Sequence, residues 1–216
     1  MNKQNWLVVS DIHGALSGAE AMAEAYAYHQ ASMILCLGDI LYHGPRNDLP
    51  SDYAPKKVIP IMNHFKEKII AVRGNCEAEV DQMVLDFPCM SDYCAMPFNG
   101  HKLFMSHGHI YGPDHLPVLE EGDLFLSGHT HIPATGQKDG IWLLNPGSIS
   151  LPKQNHPRSY GILNEDGFTI YTLNHQPVYA GRVLKYTKRK DGSFLHSTGS
   201  AIFFYVISAY CHPDAD

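Results

Sequence analysis

Five short apolar runs, each followed by a block of Asp, Asn, His and Gly, constrain this chain more than any other feature. Residues 6–10 (WLVVS), 33–37 (MILCL), 68–72 (KIIAV), 102–106 (KLFMS) and 123–127 (DLFLS) have the length and composition of buried strands. Their ends deliver Asp11-Ile12-His13, Gly38-Asp39, Gly74-Asn75, Ser106-His107-Gly108-His109 and Gly128-His129-Thr130-His131. Between the first two runs, Leu16, Ala19, Ala23 and Tyr26 recur at helical spacing and predict a helix over 15–30; a second is predicted over 55–66. Strand, helix, strand, helix, strand implies parallel strands joined by right-handed crossovers, with ligands beyond the carboxyl ends of the strands. Those ends are where the polar blocks lie.

The blocks supply carboxylate oxygen, amide oxygen and imidazole nitrogen without thiolate, a donor set suited to Mn2+, Fe2+, Ni2+ or Zn2+ and not to a Cys-rich structural zinc site. In an extended segment alternate residues point the same way, so Asp11 and His13 are expected to face one point, as are His129 and His131. Asp11, His13, Asp39, Asn75, His107, His129 and His131 are too many ligands for one tetrahedral site. Two divalent ions sharing a bridging Asp would use all of them. Ions about 3.5 to 4 Å apart hold a phosphoryl group between them and generate hydroxide near neutral pH, which points to hydrolysis of a phosphate ester.

The later chain changes character. Residues 141–145, 159–164, 167–173 and 177–184 are shorter segments punctuated by Asp139-Gly140 and Asp166-Gly167, and read as a second, antiparallel-rich sheet packed on the first. Residues 1–184 are taken as one domain and 185–216 as a C-terminal extension that continues neither pattern. Within it the basic run Lys185, Lys188, Arg189, Lys190 reads as solvated surface. The apolar stretch 201–211 is too short to span a bilayer as a helix; an extra strand, an oligomer contact and a poorly packed extension all remain open.

A net charge of -6 gives no global basic field for a nucleic-acid backbone, so a small phosphate substrate is favoured and stable nucleic-acid binding is not expected. The five cysteines form no CxxC pair, and the apolar run near the start is too short for a signal-peptide core or a membrane span. A cytoplasmic protein without a membrane segment is the expectation.

The ordered set D-x-H, G-D, G-N, H-G-H and G-H-T-H resembles the calcineurin-like metallophosphoesterase superfamily. The longer matches SDIHG, LGDILYHGPRN, VRGNCEAEVDQM, SHGH, SGHTH and LNPGSIS resemble its YfcE-type bacterial phosphodiesterases over about residues 5–184. The resemblance implies an α/β fold, two mixed β-sheets in an α/β/β/α sandwich. It also implies that Asp11, His13 and His131 hold one ion, that Asn75, His107 and His129 hold the other, and that Asp39 bridges them. A metal-bridging hydroxide would then cleave a phosphodiester. Mn2+ is the implied metal, with Ni2+, Fe2+ and Zn2+ as alternatives, and a homo-oligomer is the implied state.

One block departs from the superfamily. Where the usual motif carries a His thought to protonate the leaving oxygen, this chain has Gly74-Asn75-Cys76-Glu77. A positioned acid contributes about 10² to 10⁴ in rate, so its loss should hurt esters with poor leaving groups most. His109 and His43 are the candidate substitutes, with His109 equally readable as support for a metal-bound imidazole. Arg73 could bind a phosphate oxygen or pair with a carboxylate. Cys76 reads as a small packed residue, and Asn145-Pro146-Gly147-Ser148 as a turn that either supports the site or is purely structural. The alternatives are a phosphomonoesterase or protein phosphatase, and a protein-binding scaffold of the same fold, whose relatives tend to lose the ligands this chain retains. A metal-dependent amide hydrolase is weaker, since neither HExxH nor the zinc deaminase signature is present.

Overall fold

The computed structural model describes residues 4–181, 186–188 and 194–196 of the chain. The apolar stretch 201–211 lies outside the described residues, as do Lys185, Arg189 and Lys190 of the basic run.

Strands β1 (Trp6–Val9), β2 (Met33–Cys36) and β3 (Ile69–Ala71) are parallel neighbours, linked by α1 (Leu16–Tyr28) and, between the second and third, α2 (Pro55–His64). Their side chains are buried on both faces, as expected of parallel strands sandwiched between layers. Leu7, Val9, Ile34 and Cys36 pack with Ala19, Met22 and Ala25 of α1 and Val58 and Met62 of α2. Val8 and Leu35, pointing the other way, meet Leu103, Met105, Leu124, Leu126 and Leu144 of a second sheet.

That second sheet contains β5 (His101–Ser106), β6 (Leu124–Leu126) and β8 (Ile141–Pro146) as parallel neighbours, flanked by the antiparallel edge strands β4 (Tyr93–Phe98) and β7 (Pro133–Lys138). The first sheet is completed by β9 (Ser159–Asn164), β10 (Gly167–Thr172) and β11 (Pro177–Gly181), giving the order β11-β10-β9-β1-β2-β3. The division of strands therefore differs from the sequence expectation. The segments between residues 141 and 181 do not form a sheet of their own: β9 pairs antiparallel with β1, and β8 joins the second sheet beside β6. The reason is register, a long-range property: Trp6 lies opposite Leu163 and Leu7 opposite Ile162, contacts that no local pattern encodes.

On the outer face of the second sheet, Phe104, Phe125, Ile141 and Leu143 are covered by Tyr111, Leu116 and Leu119 of an irregular segment rather than by a helix. The remaining helix, α3 (Glu79–Val84), follows the Gly74-Asn75 block and leads to Leu85 and Phe87, which join the core beside α1 and α2. The carboxyl ends of β1, β2, β3, β5 and β6 lie where the five polar blocks begin, so both sheets contribute to one site.

Candidate metal centre

Each block leaves its strand through a bend. Beyond β1 and β2 the chains stay paired, with Asp11 N–H donating to Gly38 O (3.1 Å), His13 N–H to Asp39 O (2.8 Å) and Gly14 N–H to Ile40 O (2.8 Å). Asp11, His13, Asp39, His129 and His131 all have positive φ, between 52° and 67°. This corrects the argument from strand alternation. Asp11 and His13 converge because left-handed backbone turns their side chains inward and not because the segment is extended, whereas His129 and His131 part company: His131 lies against Asp11 and His13, and His129 against His107. Left-handed non-glycine residues cost on the order of 1 kcal/mol or more each and cluster where function requires an otherwise unfavourable side-chain direction. Space is as tight as the backbone: a Cβ on Gly74 would overlap Asp39 Oδ1, and one on Gly128 would overlap Ser10 Oγ.

The seven predicted side chains lie together. Asp11 Oδ1 is 3.2 Å from His131 Nε2 and 3.6 Å from His13 Nε2, while the two imidazole nitrogens are 3.1 Å apart. On the other side, His107 Nε2 lies 3.2 Å from both Asn75 Oδ1 and His129 Nδ1. Asp39 stands between the groups, with Oδ2 3.4 Å from His107 Nε2 and 3.7 Å from His13 Nε2. Asp11, His13, Asp39, His107 and His131 are buried.

The outer nitrogens of three histidines fix what the inner ones present. His13 Nδ1 meets Tyr42 O at 2.9 Å, His107 Nδ1 meets Leu37 O at 2.7 Å, and His131 Nδ1 meets Leu151 O at 2.5 Å. A carbonyl only accepts, so each Nδ1 carries the hydrogen, which leaves each Nε2, facing the carboxylates, to take a metal ion or, without one, a proton; metal-bound imidazoles are oriented in this way. The facing atoms of His13 and His131, and of His107 and Asn75, are 3.1 and 3.2 Å apart. Asp11 Oδ1 is buried with no hydrogen-bond partner. This donor set fits two divalent cations, since only positive charge satisfies it. The same demand governs proton binding. Burial lowers the His107 pKa, but Asp39 and Asp11 outweigh it and raise it to about 9. Burial would raise Asp11, but His131, His13 and His107 hold it well below the usual carboxylate range.

Neighbouring residues hold the donors. Ser148 Oγ–H donates to Asp11 O (2.8 Å) and accepts from Leu151 N–H (2.7 Å), whose own carbonyl meets His131. Asn145 Nδ2 donates to Gly128 O (2.9 Å) and its Oδ1 accepts from Gly147 N–H (2.8 Å). The 145–148 turn thus braces two of the ligand blocks. Sequence reasoning missed Glu77. Its buried carboxylate accepts N–H from Asp39 (2.9 Å), Ile40 (2.6 Å) and Gly74 (2.5 Å), tying the β2 and β3 loops together. Burial and Asp39 push Glu77 up to about 7, against those three amides. The signal available was its place in the Gly74-Asn75-Cys76-Glu77 block.

The donor set is not free of sulphur in space. Cys76 Sγ lies within 4.8 Å of donor atoms of His13 and Asp39 and receives a hydrogen bond from Asn75 Nδ2 (3.3 Å). Burial, then the charge of Asp39, raises its thiol pKa. His109 packs its ring 5.4 Å from that of His107, and its pKa is lowered by burial and by His107 and Arg73. Arg73 is engaged by Asp92, with Nη2 and Nε 2.7 and 3.0 Å from Oδ1, the carboxylate pairing of the two options the sequence left open. His43 packs between Tyr42 and Tyr53. A cleft opens over the donors, lined by Asp39, Asn75, His129 and His131 together with Arg46 and Lys153. No helix among the described residues is long and apolar enough to cross a membrane.

Comparison with known proteins agrees with this geometry. Residues 5–167 match the calcineurin-like phosphoesterase superfamily domain. Phosphodiesterase YfcE of Escherichia coli K12 is 45% identical over 174 residues, 81% of this chain and 95% of that protein. The solved structure of YfcE, described as a phosphoesterase from E. coli, superposes with a TM-score of 0.81 at 41% identity, covering 83% of this chain and all of that one. Vacuolar protein sorting 29 from Cryptosporidium parvum shares the fold alone, at 17% identity and a TM-score of 0.57 over 83% of this chain and 98% of that one. The chain belongs to the calcineurin-like phosphoesterase superfamily.

Proposed function

We propose that this protein is a metal-dependent phosphodiesterase whose catalytic unit is residues 1–184. The observation that carries the reading is the set of three histidines, each with Nδ1 engaged by a backbone carbonyl and Nε2 aimed at the buried carboxylates. The 45% identity to a phosphodiesterase over most of the chain supports the same activity. In this reading Asp11, His13 and His131 hold one divalent ion and Asn75, His107 and His129 the other, with Asp39 shared. When bound, the ions supply Lewis acidity toward the attacking water and the phosphoryl oxygens. Oxygen and imidazole donors suit Mn2+, Ni2+, Fe2+ and Zn2+ alike, and it is the resemblance to the YfcE-type phosphodiesterases that favours Mn2+.

The chain's own residues set the preference among esters. No imidazole stands at position 76 to protonate the leaving oxygen, and a thiol with a raised pKa is a poor substitute. His109, its pKa lowered, is neutral at pH 7 and serves as cleft wall and support for His107. Arg73, held by Asp92, fixes the loop before Gly74. The favoured substrate is therefore a small diester with a good leaving group. A scaffold role is disfavoured because every donor of the cage is present. We further propose, from the resemblance, a homo-oligomer and, from its cysteine usage, a cytoplasmic location; its net charge of -6 disfavours stable nucleic-acid binding.

The test is hydrolysis of bis(p-nitrophenyl) phosphate and p-nitrophenyl phosphate by metal-stripped protein with and without Mn2+. The expected result is Mn2+-dependent cleavage with the diester preferred. Preference for the monoester would favour a phosphatase, and folded protein that cleaves neither ester with any divalent metal would favour the scaffold.

A further inference from the structure

The cleft carries two cationic side chains that the metal cage does not use. Residues 43–47 fold over Cys76: Gly44 is left-handed, at φ 80°, and a Cβ there would meet Cys76 Sγ at 2.9 Å. Asn47 Nδ2 donates to His43 O (2.8 Å) and closes this loop, which places Arg46 on one wall of the cleft. The small residue at position 76 is what lets the loop lie so close. Lys153 lines the same cleft from the segment after the 145–148 turn, where its N–H donates to His131 O (3.3 Å). Both side chains are exposed, and neither forms an ion pair with a carboxylate among the described residues. By contrast Arg73, close to the site in sequence, is neutralised by Asp92.

We propose that Arg46 and Lys153 form an anion subsite at the mouth of the cleft, selecting phosphodiesters whose non-leaving arm carries a second anionic group, a carboxylate or a phosphate. The inference rests on the phosphodiesterase reading and deepens it. The phosphoryl group of a diester bears a single negative charge, and the cage at the cleft floor provides for it. Cations at the exposed mouth act on charge carried farther out, on the substituent. In a chain of net charge -6, two uncompensated cations beside the site also mark where an anionic arm is drawn in. Each exposed pair contributes up to about fivefold, so two together give a preference of about tenfold that weakens with salt.

The test compares diesters that share the p-nitrophenolate leaving group and differ only in the other arm: 4-carboxyphenyl, 4-phosphonophenyl or the uncharged 4-carbamoylphenyl. With full-length Mn2+-loaded protein, one or both anionic arms should exceed the carbamoyl ester about tenfold in kcat/KM, and the anion that does so identifies the class. The ratio should fall toward one in Arg46→Gln/Lys153→Gln and, in wild type, in 0.5 M salt. Equal rates for all three esters overturn the subsite and leave the phosphodiesterase reading intact, as does a preference that the double variant retains. If none of the three is cleaved, both fail together.

Discussion

Asp39→Asn is expected to lower metal-dependent diester hydrolysis by about 10² to 10³, since a Lewis acid contributes several kcal/mol of transition-state stabilisation and each 1.36 kcal/mol is tenfold. The substitution is close to isosteric. Asn retains an oxygen to accept the Cys76 N–H, a 2.9 Å bond in the native protein, so the loop over β3 should keep its shape. What disappears is the negative charge between His13 and His107, through which the two donor groups are joined. Steady-state kinetics across a Mn2+ titration, beside thermal unfolding of the metal-free variant, measures both effects. An Asn variant within threefold of wild type at saturating Mn2+ would mean that Asp39 is not the shared ligand.

Glu77→Ala should produce the largest loss of stability. The carboxylate is buried and accepts three backbone N–H groups, from Asp39, Ile40 and Gly74. Alanine leaves all three donors without an acceptor, at roughly 1 to 3 kcal/mol for each buried group, and relaxation or an entering water recovers part of it. A net loss of about 3 to 5 kcal/mol is expected in urea denaturation of the metal-free protein. Because all three donors flank or belong to the ligand blocks, Mn2+ affinity should also fall about 10- to 100-fold, the usual scale for losing an outer support of a metal site. A variant with wild-type stability and Mn2+ affinity would show that the β2 and β3 loops hold their positions without Glu77.

The first three strands and both crossover helices were legible because each is a local pattern: apolar runs of strand length, and a helical repeat between them. The edge strands of the second sheet were not. Tyr93–Phe98 is largely exposed and contains Pro97, and Pro133–Lys138 turns polar after Ala134, so neither presents an apolar run. The six residues of Glu79–Val84 are too few for a helical period to emerge. The assignment of Ser159–Gly181 to the first sheet depends on pairing with β1, far away in sequence.

At the site, the donor types and their order could be read directly, whereas the means of their convergence could not. Left-handed φ at Asp11, His13, Asp39, His129 and His131 belongs to backbone paths fixed by tertiary contacts. Glu77 and Ser148 act on main-chain groups, so the sequence marks only the blocks they stand in and not the bonds they make. In the sequence Cys76 reads as a packed residue, and the structure adds that it seats the loop carrying Arg46.

The central claim is a two-ion centre, and metal stoichiometry tests it most directly. Metal-stripped protein reconstituted with Mn2+, freed of excess ion and analysed by inductively coupled plasma mass spectrometry should retain two Mn2+ per chain, with retention reduced in Asp39→Asn. Retention of one ion or none by folded wild-type protein, under conditions in which diester cleavage is at its maximum, would contradict the account.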